Sequence, residues 1–582
     1  MRREALIPGL ILVVAALMSI SAADSFVPAE DLPDGAIIVA ETGDLKRLIS
    51  IWEGSETKDR YLNSKNFREL SDRRLGLRLA ARWEEFSNGI GRKIDLRFLG
   101  SLADKNAALA VYDVGKLDLL LITRVSRPVF ETSVLYGLRE HFKESRTELG
   151  TTIYLREFKA DNGRQDEQIV FGLIQGRLVI STDTKLFTLT EANILNPGRG
   201  RRLMGNPGYA LLRKGQKQGM LSIWVDQDRL NRDFYFKKYW LGKPIGEMGG
   251  YRSGLFTISV QKGSLIEDRR FLLSRPEPAN ALSESAVRSL AEFIPEGTAL
   301  YRIRARSARS SAGDVLRALF QGDSRRAPRE QGLDLSFRRE SFLEDDAYYS
   351  GFYRLDDRFD QLVDETDQEA SAADPGRASD VRKLSDAFGA RRMETLEVID
   401  PTGLQFPLFA DMRRGGAVVI DGGFNEAMFR RVVSGFASEK AGAGGQDLGL
   451  KWHSSPSSGV SVNRLEFPML GREFVYAVKG RLLVYANSPE LLERMLEGSA
   501  ASEEVKNGSG SSEISVLDLK EGIQDFDDIF ARLNPDSMEN DFFEGNIASL
   551  LASISDIERI TVETRPGRQI LEKTITFHTI DN

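Results

Sequence analysis

The densest set of residues that could do chemistry lies between Arg199 and Lys243. Eleven cations, Arg199, Arg201, Arg202, Arg213, Lys214, Lys217, Arg229, Arg232, Lys237, Lys238 and Lys243, stand there against Asp226, Asp228 and Asp233. Tyr209, Trp224, Phe234, Tyr235, Phe236, Tyr239 and Trp240 are interleaved with them. Cations next to amphipathic rings suit an anionic surface, because the charges attract head groups or polyanions while the rings sit at the boundary. Arg199, Arg201, Arg202, Arg213, Lys214, Lys237, Lys238 and Trp240 are therefore the candidate contacts. The competing reading makes Trp224 and the 234–240 rings the core of a half-buried sheet and helix, with the cations simply solvated.

Other chemistries have fewer parts. The chain has no cysteine, which excludes disulfides, thiolate metal sites and cysteine nucleophiles. Its three histidines, His141, His453 and His578, are far apart. Asp356, Asp357, Asp360, Asp364, Glu365 and Asp367 are oxygen ligands of the kind Ca²⁺ takes, but they lack the EF-hand spacing and its central glycine, and read as a solvated acidic face. Gly205-Asn206-Pro207-Gly208 has no following Gly-Lys-Ser/Thr and reads as a turn rather than a phosphate loop. No Gly-x-Ser-x-Gly elbow occurs, and no spacing selects a glycosidase pair from 86 acids. No catalytic, cofactor or metal residue is assigned.

These side chains need a scaffold, and at 582 residues two or more domains are expected. Arg2 and Arg3, an apolar run from Ala5 to Ile20 and the small residues Ser21-Ala22-Ala23 before Asp24 read as a signal peptide over 1–23. The alternative is an uncleaved anchor over Ala5–Ala23, and both place the bulk of the chain in the periplasm or outside the cell.

The remainder repeats itself. Leu32-Pro33-Asp34-Gly35 before an apolar run has its counterpart in Ile294-Pro295-Glu296-Gly297. Two apolar runs broken at Gln175-Gly176 match two broken at Lys479-Gly480, each with Arg-Leu following, and an X-Gly break between such runs marks a hairpin. Each hairpin feeds a helix: Asp183 caps the first, while Ser488, Pro489 and Gly498 bound the second. A last pair of runs turns at Lys262-Gly263 and at Pro566-Gly567. The glycine offsets agree, since 480 minus 176 and 567 minus 263 are both 304. The opening prolines differ by 262, so the second copy carries extra residues, placed in an acidic insertion at about 340–380.

The expected fold is α+β: two homologous domains, 24–280 and 285–582, each a mainly antiparallel sheet of hairpins with helices on one face. Residues 24–280 carry net +7 (41 cations, 34 anions) and residues 281–582 net −15 (36 against 51). With a pI near 5.5, nucleic acid is an unsuitable partner.

The order leader, Leu-Pro-acid-Gly-strand, helix, X-Gly-Arg-Leu hairpin and helix, then Leu203-Met204-Gly205-Asn206-Pro207-Gly208-Tyr209 and the strand Leu221–Asp226, resembles the exported bacterial proteins grouped as a duplicated domain of unknown function. The resemblance implies export and duplication and carries no catalytic residue. The leading reading is a non-enzymatic envelope protein, a binding or scaffolding module whose partner is an envelope protein or an anionic membrane surface. A carrier or sensor for lipid or another apolar ligand, held between sheet and helices, is the second reading, and a carboxylate-dependent hydrolase the third.

Overall fold

The computed structural model describes residues 27–579 outside 233–249, 308–382, 441–449 and 520–554, and outside parts of 65–73, 103–104, 160–165, 199, 218, 262–263, 277–279, 385–391, 406–409, 468–471 and 499–509. The leader and the acidic insertion lie outside the described residues. Among the described residues no helix is long and apolar enough to cross a membrane.

The chain forms two compact units. Ten strands of the first are β1 (Ile38–Thr42), β2 (Ala107–Asp113), β3 (Asp118–Arg124), β4 (Lys143–Arg146), β5 (Thr152–Lys159), β6 (Asp166–Ile174), β7 (Arg177–Ser181), β8 (Leu221–Val225), β9 (Tyr251–Gln261) and β10 (Ser264–Leu273). They hydrogen-bond in the order β4-β5-β6-β7-β3-β2-β1-β8-β9-β10, every neighbour antiparallel. The β6–β7 turn is the one its Gln-Gly pair demands: Gln175 and Gly176 have φ of 47° and 78°, the left-handed pair of a tight hairpin.

One face of this sheet carries Val39, Ala108, Leu120, Ile122, Val170, Val179 and Trp224. It is covered by the helix Thr184–Leu195 through Phe187 and Ile194, and by Pro207–Arg213 through Tyr209 and Leu212. Asp183 starts the former by accepting the amides of Lys185 and Leu186, and Asn206 starts the latter by accepting those of Gly208 and Tyr209. Gly205–Gly208 is thus a helix entry with Pro207 in its first turn, where a missing N–H costs nothing, and not a free turn.

Helices also cover the opposite face, contrary to the one-sided expectation. Phe86 and Ile90 of the helix Arg74–Ile90, with Phe98, Phe130 and Leu135, pack on Ile169, Phe171 and Leu178. Leu48, from the helix Leu45–Glu53 capped by Asp44, packs on Leu221, Ile258 and Leu265. β6 and β7 are apolar on both faces, so each face needs a cover.

The second unit contains β11 (Leu300–Ser307), β12 (Arg392–Gln405), β13 (Ala410–Val419), β14 (Lys451–Ser457), β15 (Val460–Phe467), β16 (Arg472–Lys479), β17 (Leu482–Ala486), β18 (Glu513–Asp518) and β19 (Ile557–Arg565). Their order is β14-β15-β16-β17-β13-β12-β11-β18-β19, again antiparallel throughout. Taking ten from each label gives the order of the first nine strands of the first unit. Gly480, at φ 62°, turns β16 into β17. Val287 and Leu290 of the helix Glu284–Ala291, and Leu491, Leu492 and Met495 of Pro489–Glu497, cover one face, while Phe429, Val432 and Val433 of Glu426–Lys440 cover the other.

The last strand, β20 (Ile570–Thr579), belongs to the first unit, which comprises Met1–Pro276, Ser549–Asp556 and Gln569–Asn582. β20 extends that sheet by pairing antiparallel with β10 from Leu265↔Phe577 to Leu272↔Ile570. The units therefore differ from a division into 24–280 and 285–582: the end of the sequence completes the first sheet, because the free edge of β10 takes it.

Candidate functional site

Where the basic and aromatic segment is described, its rings Tyr209 and Trp224 are interior and its cations are half-buried or exposed. Trp224 is 1% exposed and meets Tyr209 edge to face at 5.3 Å. Arg213 forms an ion pair with Glu41, donates to the Tyr209 hydroxyl at 3.0 Å and lies over its ring. Glu41 also accepts the Tyr209 hydroxyl at 2.9 Å and the Ala29 amide at 3.2 Å. Burial first, and then the Glu41 charge, push the Tyr209 phenol well above its usual range, so it acts as a donor to Glu41 and not as a base. Burial pulls Arg213 down, but the Glu41 carboxylate more than offsets this and the guanidinium is held above its ordinary value.

Arg202 donates to the carbonyls of Glu30 and Asn193, tying the start of the unit to the end of the helix Thr184–Leu195. Arg201 and Lys214 are exposed. Arg199, Lys237, Lys238 and Trp240 lie outside the described residues. The structure thus brings Arg213 and Tyr209 together around Glu41 as a clamp, and engages Arg202 with backbone carbonyls.

A second polar group lies in the other unit. Tyr476 donates to Glu426 at 2.7 Å and accepts from Arg430 at 2.7 Å, while Asn463 accepts from Arg430 at 2.6 Å and donates to Glu426 at 3.2 Å. Burial works to raise the Glu426 carboxyl, but the Tyr476 and Arg430 contacts prevail and hold it below its usual value. Each of these four side chains is engaged by the others, which makes the group a brace between helix and sheet. Among the described residues no three His, Asp or Glu side chains gather as a metal site.

The feature left uncovered is apolar. On the helix-rich second face of the first sheet, cross-strand neighbours place Ile180, Leu121, Leu109, Ala40 and Ile223 in one row. Leu119, Val111 and Ile38 form the next. At about 4.8 Å between strands the first row runs about 19 Å. Leu119 and Ile180 lean on the cluster under Phe86, Ala40 and Ile223 on that under Leu48, and Ile38 on Leu230. Leu109, Val111 and Leu121 belong to none of these clusters among the described residues, and Leu109 is 41% exposed in the middle of a sheet. A large aliphatic side chain in that place lacks the cover that its neighbours along the strand, Ala108 and Ala110, have at 1% and 0% exposure.

Sequence reasoning missed both Glu41 and Leu109. Glu41 interrupts an otherwise apolar strand, and the run Ala107-Ala108-Leu109-Ala110-Val111 is apolar at consecutive positions, the pattern of a strand apolar on both faces.

No protein-family profile and no curated protein matches the chain. Among solved structures, crystal form III of TP0453 is similar at a TM-score of 0.24 and 11% identity, covering 46% of this chain and 88% of that one. Crystal form IV of TP0453 stands at 0.24 and 8%, covering 43% and 81%. A likeness of that degree assigns neither fold nor activity.

Proposed function

We propose that this is an exported envelope protein that binds its partner without transforming it, and that its ligand is the acyl chain of a lipid, held on the strip around Leu109. The observation that carries the reading is Leu109, 41% exposed in the middle of the row Leu121-Leu109-Ala40 between helix-covered flanks. The strip offers methyl groups and no polar side chain, so it suits a long aliphatic chain better than a sugar or a peptide backbone, whose polar groups would be buried unpaired. The export part rests on the leader sequence. A duplicated origin is supported by the common order of nine strands in the two units.

The test is titration of the purified full chain with a fluorescent long-chain fatty acid. Saturable binding is expected, weakened at least tenfold by Leu109→Asp and unchanged by Leu189→Asp, a substitution at a 53% exposed leucine on the helix Thr184–Leu195. Native mass spectrometry of protein taken from its own envelope should show a co-purifying lipid. Failure of the probe to saturate, or equal losses in the two variants, would remove the strip from consideration. A stoichiometric protein in place of lipid would favour scaffolding.

A further inference from the structure

The β10–β20 ladder has an internal symmetry. β20 follows β19 as β10 follows β9, and the glycines that fall between them in sequence, Gly263 and Gly567, are 304 residues apart. In the ladder Arg269 faces Lys573, and 573 minus 269 is again 304. The residue at the centre of one strand thus faces its own counterpart. On either side, Asp268 faces Thr574 and Arg270 faces Glu572, and the same offset converts one pair into the other. Two related strands that pair antiparallel about a common centre form an isologous contact, the arrangement by which a surface meets a copy of itself.

We propose that the outer edge of β10 is self-complementary: it takes β20 within one chain, and takes β10 of a second copy when β20 is displaced. The side chains fit that occupant. With Arg269 opposite Arg269 of the second copy, Asp268 of each strand faces Arg270 of the other, giving two opposite-charge pairs across the axis. The central arginines do not meet bare, because Glu267 holds each Arg269 in a two-pronged ion pair at 2.9 and 2.8 Å. Further out, Leu265 faces Leu273, and Ile266 faces Leu272, so the apolar ends also match. The contacts now made by β20 are of the same kind: Arg270 with Glu572 at 3.0 Å and Asp268 with the Thr574 hydroxyl at 2.7 Å. The inference rests on the proposed duplication, which the strand orders support without any self-pairing.

The absence of native cysteine makes a single-cysteine test in the full chain unambiguous. Arg269→Cys alone should remain monomeric under mild oxidation, since β20 occupies the edge. Arg269→Cys combined with Ile575→Pro, which removes a ladder donor from β20, should give a disulfide-linked dimer of twice the mass. Leu265→Cys with the same proline should not cross-link, because residue 265 faces 273 in this register. A peptide spanning 569–582, added before oxidation, should return the Arg269→Cys, Ile575→Pro chain to monomer, which a misfolded aggregate would not do. A monomer without the peptide, or equal cross-linking at 265 and 269, would overturn the proposal while leaving the common strand order intact.

Discussion

Replacing Glu41 by Gln tests whether the Glu41–Arg213–Tyr209 clamp is a stability element of the first unit. Glu41 is 8% exposed and serves three donors, the Ala29 amide, the Tyr209 hydroxyl and Arg213. A glutamine retains one acceptor oxygen, turns the other into a donor facing existing donors, and leaves Arg213 without its counter-charge. Breaking a buried ion pair from one side costs about 3–5 kcal/mol. The Arg213 side chain is 26% exposed and recovers some solvation, so the lower end, about 3 kcal/mol, is expected. At about 2–4 °C per kcal/mol for a unit of this size, calorimetry should show the first unit's transition falling by about 6–12 °C. The second unit's transition should not move. A loss under about 1 kcal/mol would refute the reasoning.

Two further outcomes follow from the geometry. Burial, followed by the neighbouring Asp113 and Asp183 carboxylates, raises the Asp118 carboxyl to about 6; the folded state therefore holds that proton more tightly than the unfolded chain, and stability from this group is full below about 4 and lost as pH rises through 6. Thermal unfolding across pH should show Asp118→Asn more stable than the parent above pH 6 and equal to it near pH 4. In β13 a methyl on Gly416 would lie 2.5 Å from the Leu396 carbonyl oxygen and 2.8 Å from the Tyr485 hydroxyl, so Gly416→Ala should lower the denaturant midpoint of the second unit by about 1–3 kcal/mol equivalent, and an unchanged midpoint would contradict the packing.

What could be read in the sequence was local. Ser488, Pro489, Leu491, Leu492, Met495 and Gly498 specify a helix within eleven residues, and the structure has that helix with Leu491, Leu492 and Met495 buried and Gly498 at φ 106°. Gln175-Gly176 specifies its turn for the same reason. The side chains that decide the candidate site depend on distant partners. Arg213 looks like any surface cation until Glu41, 172 residues away, is placed against it. Trp224 stood as interfacial ring or as core until Tyr209 met it. Leu109 gives no local sign that its neighbours on the sheet are covered and it is not. The helices on the second face were missed because β6 and β7 are apolar at both alternations, and a short continuous apolar run does not say which layer covers which side.

The placement of β20 also sets a timetable. A ribosome releases the chain from its first residue onward, so β10 emerges long before Ile570–Thr579, its neighbour in the finished sheet. Throughout that interval the nascent first unit carries a bare strand edge, the surface most prone to join the wrong strand. Completion of that earlier-made sheet therefore waits on the codons for Ile570–Thr579. A premature stop or a proteolytic cut ahead of Ile570 would injure a sheet whose other strands were made far earlier.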